Sequence, residues 1–193
     1  GINVAGGADG SGAMAGPGRG VRGQGGPGAS SGETFTYIGS YYLYINGGTV
    51  VVNAGGDGLD ANGAIEMTGG LVVVNGPTEQ MNGALDYDGT FNISGGTLIA
   101  VGSAGMAQAP SAGSTQSSVL LGVGSQPAGT AIDIQNAAGE SLVTFTPAKA
   151  YAAILFSSPD LAQGAEYTLY LGGSAYGSYT QSGVVTTLGG QSR

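Results

Sequence analysis

Four carboxylates recur at the ends of apolar runs. The segment GGTVVVNAGGDGLDANG, residues 47–63, closes on Asp57 and Asp60, and GGLVVVNGPTEQMNGALDYDG, residues 69–89, closes on Asp86 and Asp88. Acids in such turns suit ligation of a hard cation by oxygen, the acid and base of a glycosidase, or plain turn formation, because Asp-Gly favours turns. The chain has no histidine and no cysteine. That removes thiolate metal sites, a Ser-His-Asp constellation and the commonest ligand of transition metals, so the metal that fits these turns is calcium. A polysaccharide lyase would need a Lys or Arg base beside its calcium, and residues 40–110 hold no Lys, Arg or His. Only Arg19 or Arg22, from an earlier loop, could supply one. A lyase or glycosidase is therefore the third and weakest reading, and the chain is expected not to be an enzyme.

The acids recur because the strands do. Aligning the double glycines at 47–48, 69–70 and 95–96 gives spacings of 22 and 26 residues, the range of stacked repeats. Leu43, Ile65 and Phe91 then fall in one column, Ile45, Met67 and Ile93 in a second, Val50, Val72 and Leu98 in a third, and Val52, Val74 and Ala100 in a fourth. These positions alternate with outward columns, Tyr44–Glu66–Asn92 and Asn53–Asn75, which is the period of a half-buried strand. Strand, glycine turn, strand and polar turn, repeated and stacked, make an all-β fold: a parallel β-helix of about three to four rungs, each burying its apolar edge against its neighbours. The same alignment lays Asp60 on Asp86 and Asn3 on Asp60. Two carboxylates one rung apart, ~4.8 Å, repel unless a proton or cation lies between them. A calcium ion bridging Asp60 and Asp86, helped by Asp57 or Asp88 and turn carbonyls, would relieve that repulsion; solvated turn aspartates are the alternative. GGDGLD at 55–60 also fits the start of a calcium-binding nonapeptide, but it occurs once and at the wrong period.

Around the repeat the chain changes character twice. Residues 6–34 are a Gly, Ser and Pro-rich insert without apolar period, so 1–116 reads as rungs carrying a loop. From residue 117 to 193, runs such as SVLLGV, YAAILFSS and YTLYLGG, separated by turn signals, read as a small antiparallel β module that caps or flanks the rungs. A chain opening on Gly1, within a rung and without Met, is read as having lost an upstream segment and as exposing a strand edge that could pair with another chain. Arg193 suggests a processing site at the other end. Twelve acids against four bases, a net charge of −8, argue against a nucleic-acid partner. No apolar run is long enough for a transmembrane segment.

Tyr42 and Tyr44, two residues apart, share the outward face of their strand, and Tyr87 sits between Asp86 and Asp88. Exposed rings beside oxygen acceptors suit sugars; equally, tyrosines are good strand formers. Tyr167, Tyr170, Tyr176 and Tyr179 are expected to pack within the C-terminal module.

Residues 47–110 and YAAILFSSPDLAQGAEYTLYLGG, 151–173, resemble the C-terminal part of exported bacterial carbohydrate-binding-domain proteins with a pectate-lyase-like, right-handed parallel β-helix. The likeness spans about residues 36–173, and the glycine-rich insert has counterparts there. It implies an extracellular or cell-surface location, calcium held by turn aspartates (here Asp57, Asp60, Asp86 and Asp88), and binding of acidic or cellulosic polysaccharide without lyase activity. The competing expectation is a structural subunit that associates through open solenoid ends into an extracellular filament, because a heterologous contact that does not close propagates.

Overall fold

The computed structural model describes residues 1–4 and 41–189. The glycine-rich insert at 6–34 with Arg19 and Arg22, and Arg193, lie outside them. Among the described residues there is no helix, and the fold is all-β with mixed parallel and antiparallel sheets.

The first half holds β1 (Ile2–Val4), β2 (Tyr42–Asn53), β3 (Leu59–Ala61), β4 (Ala64–Asn75), β5 (Leu85–Tyr87), β6 (Phe91–Ile93) and β7 (Thr97–Gly102). Every pairing among them is parallel. β1, β3 and β5 form one sheet, while β4 lies between β2 and the β6–β7 pair in another. The columns read from the sequence are the registers observed: Leu43 on Ile65 on Phe91, Ile45 on Met67 on Ile93, Val50 on Val72 on Leu98, and Val52 on Val74 on Ala100. Their side chains join Leu59 and Leu85, from the facing three-stranded sheet, in one core.

What lets two strand segments of one repeat both point inward is the double glycine between them. The β2–β4 ladder shifts register at Asn46–Thr49, and the second glycine of each pair has positive φ: 76° at Gly48, 93° at Gly70 and 88° at Gly96. Side chains avoid that region. Stacking adds a second reason. A Cβ at Gly70 would lie 2.8 Å from the Gly47 carbonyl carbon, and one at Gly96 would lie 2.6 Å from the Gly70 carbonyl oxygen, whereas one at Gly48 meets nothing.

The second half comprises β8 (Ser118–Gln126), β9 (Ile132–Asn136), β10 (Ser141–Phe145), β11 (Tyr151–Ser157), β12 (Glu166–Leu171), β13 (Ser174–Thr180) and β14 (Val185–Leu188). Three of these extend the first-half sheet instead of forming one of their own, giving the order β14-β8-β11-β7-β4-β2. β11 runs antiparallel to both β7 and β8, and β14 parallel to β8. The other four make an antiparallel sheet, β10-β9-β12-β13. A strand covered on both faces needs an unbroken apolar run, and β7, β8 and β11 have one. Leu98, Ala100, Leu120, Ala153 and Leu155 face the first core. Their neighbours Ile99, Val101, Val119, Leu121, Ile154 and Phe156 face a second, against Ile132, Ile134, Tyr167 and Leu169 of the four-stranded sheet.

The corner geometry sets a graded expectation. Gly48→Ala should cost about 1–2 kcal/mol, the strain of a left-handed alanine. Gly70→Ala, which adds overpacking against the corner beneath it, should cost about 2–4 kcal/mol. Urea titrations of the two variants check the order.

Candidate functional site

β3 and β5 are only three residues long, and their alternation fixes where the acids go. Leu59 and Leu85 point into the core and are fully buried, so the middle residues, Asp60 and Asp86, turn outward and are partly buried. The parallel register sets Asp60 beside Asp86 and Asn3 beside Asp60. Asn3 Nδ2 donates to Asp60 Oδ2 at 2.5 Å. The other two acids act elsewhere: Asp57 Oδ1 accepts from the buried Gly83 amide at 2.7 Å, and Asp88 Oδ2 accepts from Asn62 Nδ2 at 3.3 Å. The structure therefore brings Asp60 and Asp86 together and gives Asp57 and Asp88 one turn contact each. Among the described residues no group of three or more acids is placed to hold a metal.

These contacts follow the repeat. Asp57 and Gly83, Asn62 and Asp88, and Glu66 and Asn92 are each separated by 26 residues, while Asn46 and Thr68 are separated by 22. Polar side chains thus bond to the equivalent position one repeat away, where matched register makes the reach short.

Tyr42 and Tyr44 stand on the outward side of β2, opposite the inward Leu43 and Ile45. They are 42% and 60% exposed, and their rings stack, with centroids 5.5 Å apart and planes inclined by 12°. Next to Tyr44 in register comes Glu66, whose Oε1 accepts from Asn92 Nδ2 at 2.9 Å. Val51 and Leu71 are also exposed on these two strands. Tyr87 does not join this surface. It belongs to the three-stranded sheet, its ring meets Phe91 edge-on at 6.1 Å, its hydroxyl donates to the Ala109 carbonyl at 2.5 Å, and burial raises its pKa. In the second core Tyr167 and Tyr179 pack against each other at 5.7 Å, while Tyr176, half exposed, donates to the Val123 carbonyl.

One functional element was not read from the sequence. Residues 103–116 close the end of the parallel stack with side chains. Gln108 Oε1 accepts from the Tyr87 amide, Ser111 Oγ from that of Phe91 and Ser114 Oγ from that of Ile93, while Gln116 Nε2 donates to the Gly96 carbonyl. They supply to β5, β6 and the last corner the partners that another strand would give. Polar residues one period beyond the last apolar column were the available signal. Along β7 the same end is closed by β11.

Lys149, the chain's one lysine, donates to the Ala54 carbonyl, and desolvation lowers its pKa. A cavity of about 140 Å³ between β8, β12, β13 and β14 is lined mainly by Leu121, Val123, Leu169, Tyr179 and Leu188, an apolar wall without a charged group. Comparison with protein-family models, curated proteins and solved structures finds no match to this chain.

The buried tyrosines give two expectations. The Tyr179 hydroxyl is buried without a partner, so Tyr179→Phe should leave stability unchanged or raise it by about 1 kcal/mol, whereas Tyr87→Phe, which loses a bond, should lower it by about 1 kcal/mol. Thermal melts of both separate these signs. Burial pushes the Tyr151 phenol up to about 12, while in the unfolded chain it ionises near pH ~10. The folded state then holds the proton more tightly. Its contribution is complete below pH ~10 and lost as pH rises toward ~12. Urea midpoints should fall between about pH 8 and about pH 11, and fall less in Tyr151→Phe.

Proposed function

We propose that this chain is a non-catalytic carbohydrate-binding protein of the cell exterior, built on a right-handed parallel β-helix and related to the exported bacterial proteins its sequence resembles. The observation that carries this reading is the stacked, exposed pair Tyr42 and Tyr44. Phenol rings offer an apolar face to sugar C–H groups with a polar tip at one end. Glu66 and Asn92, the next positions of the same column, offer an acceptor and an amide to sugar hydroxyls. The β-helix reading is supported by the parallel registers and by the double-glycine corners, on both sides of which inward positions face one core.

Calcium belongs to the proposal at one place. Asp60 and Asp86, adjacent in register, offer a pair of carboxylates suited to a hard cation. A bound cation there would hold neighbouring turns together by neutralising two carboxylates a strand spacing apart.

A second reading, self-association, rests on β2. Among the described residues this 12-residue strand pairs only with β4, and an unpaired edge is a template for another chain. The opposite end is closed by residues 103–116 and β11, which disfavours stacking copies head to tail.

Pull-down and titration against neutral and acidic wall polysaccharides test the leading reading. Tyr42→Ala/Tyr44→Ala should weaken binding by about tenfold or more, a loss of about 1.4 kcal/mol, with an unchanged melt. A native protein that retains none of these glycans in calcium defeats it. For the cation, calcium should raise the melting temperature over chelator, and Asp86→Asn should remove that difference while leaving the melt in chelator near that of the parent.

A further inference from the structure

The chain contains four Asn-Gly pairs, at 46–47, 62–63, 75–76 and 82–83. Asn-Gly is the dipeptide in which the following amide nitrogen, unhindered by a side chain, most readily attacks the asparagine carboxamide. Three of the four are held against that attack. The Gly76 amide donates to the Val101 carbonyl at 2.7 Å, and the Gly83 amide donates to Asp57 Oδ1 at 2.7 Å. Gly63 is buried against the Tyr41 carbonyl, and its Asn62 is tied at both the backbone amide, to Val4, and the side chain, to Asp88.

Asn46–Gly47 differs in its exposure and in the space around it. Both residues are exposed at the corner of β2, the edge strand of its sheet among the described residues. A Cβ at Gly47 would touch nothing, so no neighbouring group crowds the attacking nitrogen from that side. The Thr68 hydroxyl, one turn away, donates to Asn46 Oδ1 at 2.9 Å. A donor on that oxygen polarises the carboxamide and would stabilise the oxyanion that forms when nitrogen adds to its carbon, the logic of an oxyanion hole.

We propose that Asn46 is a self-modifying site that converts to aspartate and isoaspartate, with Thr68 promoting the step. The Gly47 nitrogen, losing its proton to solvent, bonds to Asn46 Cγ. The Cγ–Nδ2 bond breaks and the amide leaves as ammonia, giving a cyclic imide. Water then opens the imide at either carbonyl, and no oxidant or reductant takes part. Either product puts a new carboxylate on the exposed corner, and isoaspartate also lengthens the backbone of β2 by one methylene.

The test is peptide mapping by mass spectrometry of the whole chain aged in mildly alkaline buffer, folded and in denaturant. In denaturant all four pairs should gain the amide-to-acid mass at comparable rates. In the folded protein Asn46 should convert about tenfold or more faster than Asn62, Asn75 and Asn82, because those three are held by buried or backbone contacts that must open before attack. Thr68→Val should slow Asn46 severalfold and Thr68→Ser should restore the rate. Gly47→Ala, for which there is space, should slow it further. Folded protein in which Asn46 survives as long as the other three overturns the proposal. An unchanged rate in Thr68→Val overturns the part assigned to the hydroxyl.

Discussion

Close stacking of one glycine corner on the next is the constraint on which the first half of the molecule depends. With a side chain at Gly70 or Gly96, the corners could not sit in contact, and adjacent turns could not keep the matched register that pairs Ile45 with Met67 and Ile93. Register in turn decides which polar side chains of neighbouring parallel strands meet. Asp60 lies beside Asp86, Asn62 reaches Asp88 and Glu66 reaches Asn92 because equal positions in successive repeats are neighbours. A chain with 41 glycines in 193 residues can therefore be well ordered where the glycines occupy fixed places in a repeat, although the same composition without a period would favour a flexible coil.

Matched register also explains how so few charges suffice. Amides and hydroxyls bond along the columns, as in Thr68 to Asn46 and Asn92 to Glu66, and the end of the stack is finished by serine and glutamine side chains. Backbone groups at a sheet edge need partners wherever water is excluded. Here a short irregular segment meets that need with side chains, without becoming a strand.

The first half was legible in the sequence because its information is local and repeated. Alternation by two assigned Leu43, Ile45, Val50 and Val52 to the interior, and the glycine spacing set their partners 22 residues on. The Asp60–Asp86 and Asn3–Asp60 neighbours followed from the same alignment. Beyond residue 116 no repeat exists to align. YAAILFS announces a buried strand but not that β11 inserts between β7 and β8, since that choice depends on which apolar faces are left uncovered. Tyr87 shows the other limit. Its place between two acids suggested an exposed ring, yet the segment that covers it, ending at Ala109, lies 22 residues away and follows the repeat only in its polar residues. The stacking of Tyr42 on Tyr44 was legible only as a shared face, because side-chain orientation at an open edge is set by neighbours the alternation does not name.

The β7–β11 junction has a mechanical consequence. There the parallel strands hand over to antiparallel ones through one continuous ladder, from Leu98–Ser157 to Gly102–Ala153, with apolar layers on both sides. A pull that slid the two halves past each other along the strands would strain all the bonds of that ladder together, whereas a pull across them would part the bonds one after another. The joint is thus stiff along the strand axis and softer across it, and a molecule tethered at its two halves would bear load best when drawn along that axis.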